Sequence, residues 1–252
     1  MRRFVVDDIP PSAHRVFIKG PTAKHIAKVL RMDPGDELAV LDQKGSRYRG
    51  RIASVNPSTV EVDLLDPLPS PQESPLQLIL CQAILKAKNM DLVIQKTTEL
   101  GVSSIVPFYS QRTVARLDPK RAENKLRHWN EVARNATEQS DRARPPQIQP
   151  VTDLAHVLAM GSDPKSLKII LWEQEWARDL RRILRDEPPT NRVVAVVGPE
   201  GGFSRGELTQ AMEARFTPVS LGARILRAET AAIVLVALCQ YQWGDLGLLP
   251  TW

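Results

Sequence analysis

The stretch VVAVVGPEGGFSRGEL at residues 193–208, with VSLGARILRAETAAIVLVAL close behind it at 219–238, decides the fold. Each begins in apolar, β-branched residues, passes through a glycine turn and runs into a helix. The run from Val193 to Val197 is too apolar for a strand with one solvated face, so it belongs in the buried middle of a sheet. Ser204 and Glu207 carry the spacing of a helix capping box, which starts a helix over ELTQAMEARF. TPVSL reads as a last short strand, and the residues from Ile225 to Trp243 as a closing helix. Ligands of such sheets bind beyond the C-terminal strand ends, where both glycine turns fall.

Upstream the alternation continues as far as Pro75. LQLILCQA, SSIVPF and KIILWEQ read as strands, and NMDLVIQKTTEL, PKRAENKLRHWNEVARNATEQS and WARDLRRIL as helices. The expectation is an α/β fold, a mainly parallel sheet covered on both faces. Residues 1–66 differ. RRFVV, RVFI, ELAVL, RYRGRIASV and TVEVDLL are short strand-like pieces separated by turn signals, as in a small barrel or sandwich. The one helix there is PTAKHIAKVL, with Thr22 as its cap and Ile26, Val29 and Leu30 on one face. The linker DPLPSPQESP divides the chain into domains at 1–70 and 75–252.

Of the 252 residues, 42% are hydrophobic and 25% charged, the composition of a folded globular chain. A net charge of +5 favours an anionic partner without identifying one. Cys81 and Cys239 lie inside apolar runs and read as buried thiols. His14, His25, His128 and His156 lack ligand spacing, so no metal is expected. The longest apolar run, AAIVLVALC, is too short to span a membrane, and no signal peptide is visible, which indicates a cytoplasmic protein.

The GPEGGF turn is a poor match to a dinucleotide or phosphate cradle. It lacks the dinucleotide fingerprint and the P-loop lysine, and Glu200 would repel an incoming phosphate. An acid beside open peptide groups suits a ligand bearing positive charge and hydroxyls, as S-adenosylmethionine does. Geometry alone also produces glycine turns between strands and helices, and Glu200 could serve only as a first-turn acid.

VGPEGGFSRGEL with SLGARILRAETAA resembles the signature of the bacterial 16S ribosomal RNA uridine-N3 methyltransferases, a branch of the SPOUT class. NMDLVIQKTTELGVSSIVPFYSQRTV and HWNEVARNATEQSDRARPP resemble two further blocks of that family, in the same order along essentially the whole chain. The resemblance implies a PUA-like β-barrel that binds RNA, then a methyltransferase domain with a C-terminal trefoil knot and a homodimer formed through it. It implies a cofactor site for S-adenosylmethionine at Gly198, Pro199, Glu200, Gly201 and Gly202, facing Leu221, Gly222, Arg224, Ile225, Leu226 and Arg227. Glu229, Thr230 and Ala231 finish the motif, and the strand end at Leu171, Trp172 and Glu173 forms a third wall. The family usually has proline where Ala223 stands and threonine where Ala228 stands, which loosens the loop entry and removes one hydroxyl.

The implied reaction moves a methyl group to N3 of a uridine, a nitrogen that holds a proton at neutral pH. The enzyme must therefore favour the deprotonated uracil and align it. Arg227 is the first candidate to stabilise charge on a uracil oxygen and Arg224 the second, with pairing to an acid the competing role for either. Glu200 or Glu229 could accept the proton, as could water. For the 16S RNA, within the assembled small subunit, residues 111–150 hold nine Arg and Lys against five Asp and Glu, including Arg112, Arg134, Arg142 and Arg144. Arg47, Arg49 and Arg51 alternate along one strand and share a face that could follow a phosphate backbone. Two other readings stay open: an RNA-binding assembly protein that keeps the shell without turnover, and an enzyme using another nucleotide cofactor.

Overall fold

The computed structural model describes every residue except 114–115, 161–164, 174, 176–177 and 249–252. The chain forms two compact units, Met1–Glu73 with Arg134–Pro145, and Ser74–Ala133 with Pro146–Trp252. Arg134–Pro145, inside the range 75–252, thus clusters with the first unit.

In the first unit the strands are β1 (Arg2–Val5), β2 (Arg15–Lys19), β3 (Glu37–Leu41), β4 (Arg47–Val55) and β5 (Thr59–Pro67), in the order β1-β3-β4-β5-β2. β1 runs parallel to β3 and the other neighbours are antiparallel. Register shifts between Tyr48 and Gly50 and between Ile52 and Ser54 interrupt the β4–β5 ladder, and such irregularities bend a sheet. The sheet curls around one core containing Phe4, Ile18, Ile26, Leu38, Val40, Ile52, Val60 and Val62. Gly50 permits the close approach there, since a Cβ would stand 2.4 Å from Val62 Cγ1. On the opposite face Val5, Ala39 and Leu41 are buried, the Val5 N–H donates to Glu138 at 2.7 Å, and Asp141 pairs with Arg3 and Arg47.

Helix α1 (Gly20–Lys24) continues into a π-helical turn (His25–Leu30) that ends at Arg31 with φ 50°. Thr22 does not cap it. Lys19 holds that position without a side-chain bond, and Pro21 starts the first turn with its fixed φ. Val29 is 66% exposed instead of sharing the face of buried Ile26, because π-helical i→i+5 bonding rotates it away.

The second unit is built on β6 (Gln77–Ala83), β7 (Ser104–Tyr109), β8 (Gln147–Ile148), β9 (Thr152–Asp153), β10 (Leu167–Leu171), β11 (Arg192–Val197) and β12 (Thr217–Val219). Their order is β12-β10-β11-β6-β7-β8, with β9 also on β7, and every pairing is parallel. Alternate residues of β11 enter opposite cores: Val193, Ala195 and Val197 on one face, Val194 and Val196 on the other. The first face is covered by α2 (Ala87–Glu99), α3 (Pro119–Ser140, as far as Ala133), α5 (Leu180–Asp186) and α7 (Ala228–Trp243). The second is covered by α4 (Leu154–Met160) and α6 (Arg205–Glu213). The two-sided parallel sheet is as expected, whereas β8, β9 and α4 were not foreseen. The expected helix over WARDLRRIL begins at Leu180, with Asp179 accepting from the Arg182 N–H; residues 176–177 and 174 lie outside the described residues.

Helix α7 buries one stripe, including Ala232, Leu235, Val236, Cys239 and Gln240. The Gln240 side chain is fully buried, accepts from Ser74 Oγ at 2.7 Å and donates to the Gly101 carbonyl at 2.7 Å. That amide ties the end of α7 to the turn after α2, where Gly101 has φ +87° and no room for a Cβ. Leu238 and Tyr241 on α7 remain 37% and 69% exposed, so this chain alone does not cover the whole helix.

Candidate functional site

Because the sheet is parallel, the segments after β6, β7, β10, β11 and β12 all leave its same edge. β10 lies between β11 and β12, so the two glycine turns are separated by two strand spacings, about 10 Å. The end of β10, with Leu171 and Trp172 followed by Glu173, stands between them. The three walls expected from the sequence are thus side by side. Trp172 N donates to the Val219 carbonyl at 3.0 Å, and Ser220 N donates to the Arg178 carbonyl at 3.0 Å, joining the segments after β10 and β12.

The β11 turn is closed by a Gly202 N–H bond to the Pro199 carbonyl at 2.9 Å. Its glycines face protein. A Cβ on Gly198 would meet the Phe203 ring at 3.1 Å, one on Gly201 the Arg112 side chain at 3.4 Å, and one on Gly202 the Glu173 carboxylate at 2.9 Å. Gly202 also has φ +66°, the left-handed region that favours glycine. Each of these glycines thus has a protein side chain close to its missing Cβ. Glu200 Oε1 accepts from Lys86 N at 3.2 Å, just before α2, where the helix dipole favours an acid.

The β12 segment is different. Gly222 has φ +104° and nothing within 4 Å of a Cβ position, and Ile225 is 86% exposed. Among the described residues, no hydrogen bond engages the N–H groups of residues 221–226. Arg224 and Arg227 are exposed with no ion pair to a described residue, and Arg227 holds the N-cap position of α7 without a side-chain bond. Behind them Glu229 is 7% exposed, and its Oε2 is buried without a hydrogen-bond partner. Thr230 is exposed and Ala231 half-buried on the first turn of α7. Unpaired peptide groups, exposed apolar surface and an unsatisfied buried carboxylate oxygen fit a ligand with hydroxyl, amine and planar ring groups.

Three further residues belong here. Gln82 is fully buried and donates to the carbonyls of Ala83 at 2.9 Å and Gly198 at 3.3 Å, while its Oε1 lacks a partner. A lone amide in the apolar run LILCQA was the signal for it. Glu207, read from sequence as half of a capping box, does cap α6 with Ser204. It also accepts from Ser110 Oγ at 2.8 Å and Gln111 N at 2.7 Å. Burial pushes its carboxyl up, but the hydrogen bonds from Gln111, Ser204 and Ser110 outweigh that and hold it below its ordinary 4.5. The third is Lys86, at the carboxylate of Glu200.

The arginines expected on RNA are mostly engaged. Arg49 pairs with Asp66 and Glu37, Arg51 with Glu37, Arg47 with Asp141, Arg134 with Asp7 and Arg142 with Glu73. Arg112 donates to the Gly201 carbonyl at 2.8 Å, which puts it at the glycine turn; the exposed Arg144 binds Glu73 only through its backbone N–H. In the first unit, Lys19, Lys24, Lys28 and Arg31 are exposed with no ion pair to a described residue, near Phe17 at 53% exposure. Burial pushes both Cys81 and Cys239 thiols up to about 12, which leaves them inert. Among the described residues no cluster could hold a metal, and no helix is long and apolar enough to cross a membrane.

Residues 72–240 match the RNA methyltransferase domain family, and residues 18–65 match the RNA methyltransferase PUA domain. The chain is 29% identical over 228 residues to the ribosomal RNA small subunit methyltransferase E of Bacillus subtilis, covering 89% of each chain. Its likeness to the enzyme of that name from Synechocystis is 32%, over 84% of this chain and 68% of the relative. Among solved structures, the ribosomal RNA small subunit methyltransferase E of Neisseria gonorrhoeae bound to S-adenosyl methionine superposes with TM-score 0.88 at 33% identity, covering 97% of this chain and 99% of that one. A putative methyltransferase from Legionella pneumophila in complex with the same cofactor gives TM-score 0.89 at 31% identity, over 97% and 98%.

Proposed function

Since the chain belongs to the RNA methyltransferase family of the small-subunit ribosomal RNA enzymes, we propose that its S-adenosylmethionine-dependent methylation of ribosomal RNA is directed to N3 of a uridine in 16S RNA. The observation that carries the placement of the site is the meeting of the β10, β11 and β12 ends beside the unpaired peptide groups of residues 221–226. S-adenosylmethionine, when bound, supplies an electrophilic methyl group on a sulfonium centre. Residues 198–202 and 171–173 would wall the site, residues 221–226 would offer peptide groups to the cofactor's base, and Glu229 Oε2 could accept a hydrogen bond from it. Ile225 and Leu226 supply apolar contact.

Arg227 acts on the substrate. Its guanidinium has no ion pair to an acid among the described residues and can hold negative charge on a uracil oxygen as N3 loses its proton. Arg224, three residues before it, supports the same charge. Glu200 is the candidate acceptor of the N3 proton, because among the described residues only its Oε1 is engaged.

RNA phosphates are assigned to Lys19, Lys24, Lys28 and Arg31, whose charges no acid among the described residues offsets, in preference to the paired stripe on β4. Three further readings belong to this proposal. A knotted path is favoured by β12 lying at a sheet edge while α7 returns to pack against β6 and β11. Exposed Leu238 and Tyr241 favour a homodimer through α7. A cytoplasmic site of action follows from the substrate. Incubating the protein with small subunits from cells lacking it, then mapping methylated nucleotides by mass, tests the assignment. A new methyl group on uridine N3 supports it, and a methyl group on another atom overturns it.

A further inference from the structure

The turn at residues 199–202 contains two glycines and one internal backbone bond, so left to itself it would lose much conformational freedom when a ligand orders it. Besides the Lys86 N–H on Glu200, Arg112 holds it from elsewhere in the chain. Arg112 Nη1 donates to the Gly201 carbonyl at 2.8 Å, and the Arg112 Cβ lies 3.4 Å from where a Cβ at 201 would stand, in ordinary contact with the turn. The segment bearing Arg112 is a tight turn, with Ser110 N on Thr113 Oγ1 at 2.9 Å and Thr113 N on the Ser110 carbonyl at 3.1 Å. That turn is anchored on one buried carboxylate. Glu207 Oε1 takes Ser110 Oγ at 2.8 Å and Gln111 N at 2.7 Å, while its Oε2 takes Ser204 N at 2.8 Å, at the far end of the glycine turn. One side chain, 7% exposed, therefore fixes both the support and the end of the segment it supports.

We propose that Arg112 is a positioning residue that holds the cofactor turn in its binding shape, with Glu207 as the anchor that sets Arg112 in place. The proposal rests on the reading that residues 198–202 wall the cofactor site. A restrained turn arrives at the ligand already ordered, and affinity rises by what ordering would otherwise cost. Arg112 is then spent on a peptide carbonyl and contributes little to phosphate binding.

The test is calorimetric titration of S-adenosylmethionine into the full chain, with amide hydrogen exchange over residues 198–203 and RNA binding across a salt series. Arg112→Ala should weaken the cofactor about tenfold and speed exchange in the turn, with RNA affinity and its salt slope unchanged. In turnover the cofactor KM should rise while kcat stays within about twofold. Arg112→Lys, which can still reach one carbonyl, should recover part of the affinity. Glu207→Gln should weaken the cofactor likewise, because an amide group would confront an N–H donor. Should that variant not fold, Ser110→Ala removes a single bond to Glu207 and should reproduce a smaller shift. A normal cofactor affinity in R112A together with weakened, less salt-sensitive RNA binding overturns the proposal. Gly202→Ala separates the two readings. If G202A binds the cofactor normally, the site assignment itself fails, whereas loss in G202A with none in R112A sinks only the role of Arg112.

Discussion

Gly198→Ala asks whether the first glycine of GPEGGF serves a ligand or the protein. An added Cβ would lie 3.1, 3.2 and 3.4 Å from Cε2, Cδ2 and Cζ of Phe203. Carbon atoms rest about 3.5–4.0 Å apart, so the ring must retreat by roughly 0.5 Å. It has little room to do so. Phe203 is 4% exposed and lies parallel to fully buried Phe108, with ring centroids 6.5 Å apart and 8° between planes. Overpacking at such a site costs about 1–3 kcal/mol. For a unit of this size that lowers the melting temperature by roughly 3–10 °C.

Calorimetry of the melting transition, paired with titration of S-adenosylmethionine, distinguishes the two explanations. Phe203→Leu removes the clashing ring atoms, so the double variant G198A/F203L should be hardly less stable than F203L alone. That corresponds to a coupling of about 1 kcal/mol or more. Cofactor affinity, lowered in G198A by displacement of the turn, should recover with it. If G198A melts like the parent yet loses the cofactor, and F203L rescues nothing, the methyl group blocks a ligand and the packing argument is refuted.

Arg227→Ala should leave the melting temperature unchanged, since no side-chain bond of Arg227 caps α7, and abolish most single-turnover methyl transfer; an unaltered rate removes Arg227 from the chemistry. Lys24→Glu with Lys28→Glu should weaken RNA binding and flatten its salt dependence by about two phosphate contacts, whereas Arg49→Glu, already paired in the parent, should alter binding less; the reverse ranking restores the β4 stripe. Cys81 and Cys239, with thiols pushed up to about 12, should resist alkylation at pH 8 until the protein is unfolded, and rapid native labelling would contradict their burial. Glu207 is held below 4.5, so its contribution is complete above the unfolded value and fades as pH falls through the folded one. The stability gap between the parent and Glu207→Gln should therefore narrow below about pH 4, and a gap that widens on acidification reverses the sign.

Much of the second unit was legible because its patterns are local. The span 119–140 was read as one helix and is one, β11 alternates between two cores as an unbroken apolar run should, and the Ser204–Glu207 box forms at its motif. The helix α4 has seven residues and the strands β8 and β9 two each, too short for any period to register. The arginine stripe was legible only in part. Arg47, Arg49 and Arg51 are visible in sequence, but the acids that neutralise them, Asp141, Asp66 and Glu37, arrive from other elements. Charge counted along a chain records no cross-strand partners. Glu207 was legible only as a cap, because Ser110 is 97 residues away in the chain.

The two glycine turns differ in their surroundings. In the β11 turn Phe203 and Glu173 crowd the Cβ positions of Gly198 and Gly202, and Arg112 lies in ordinary contact with that of Gly201. In the β12 segment Gly222 faces open space and the peptide groups around it have no partner among the described residues, as the proposed ligand-reading role of this side requires. Of the two departures from the family pattern, Ala223 falls within residues 221–226 and Ala228 just after them, and neither lies in the β11 turn. Without proline at 223 one more dihedral must be ordered on binding, a cost of about 0.4–1 kcal/mol, or two- to fivefold in affinity. Ala223→Pro should therefore tighten the cofactor by up to about fivefold with kcat unchanged, and a variant that binds no better would show that the segment is already ordered before the ligand arrives.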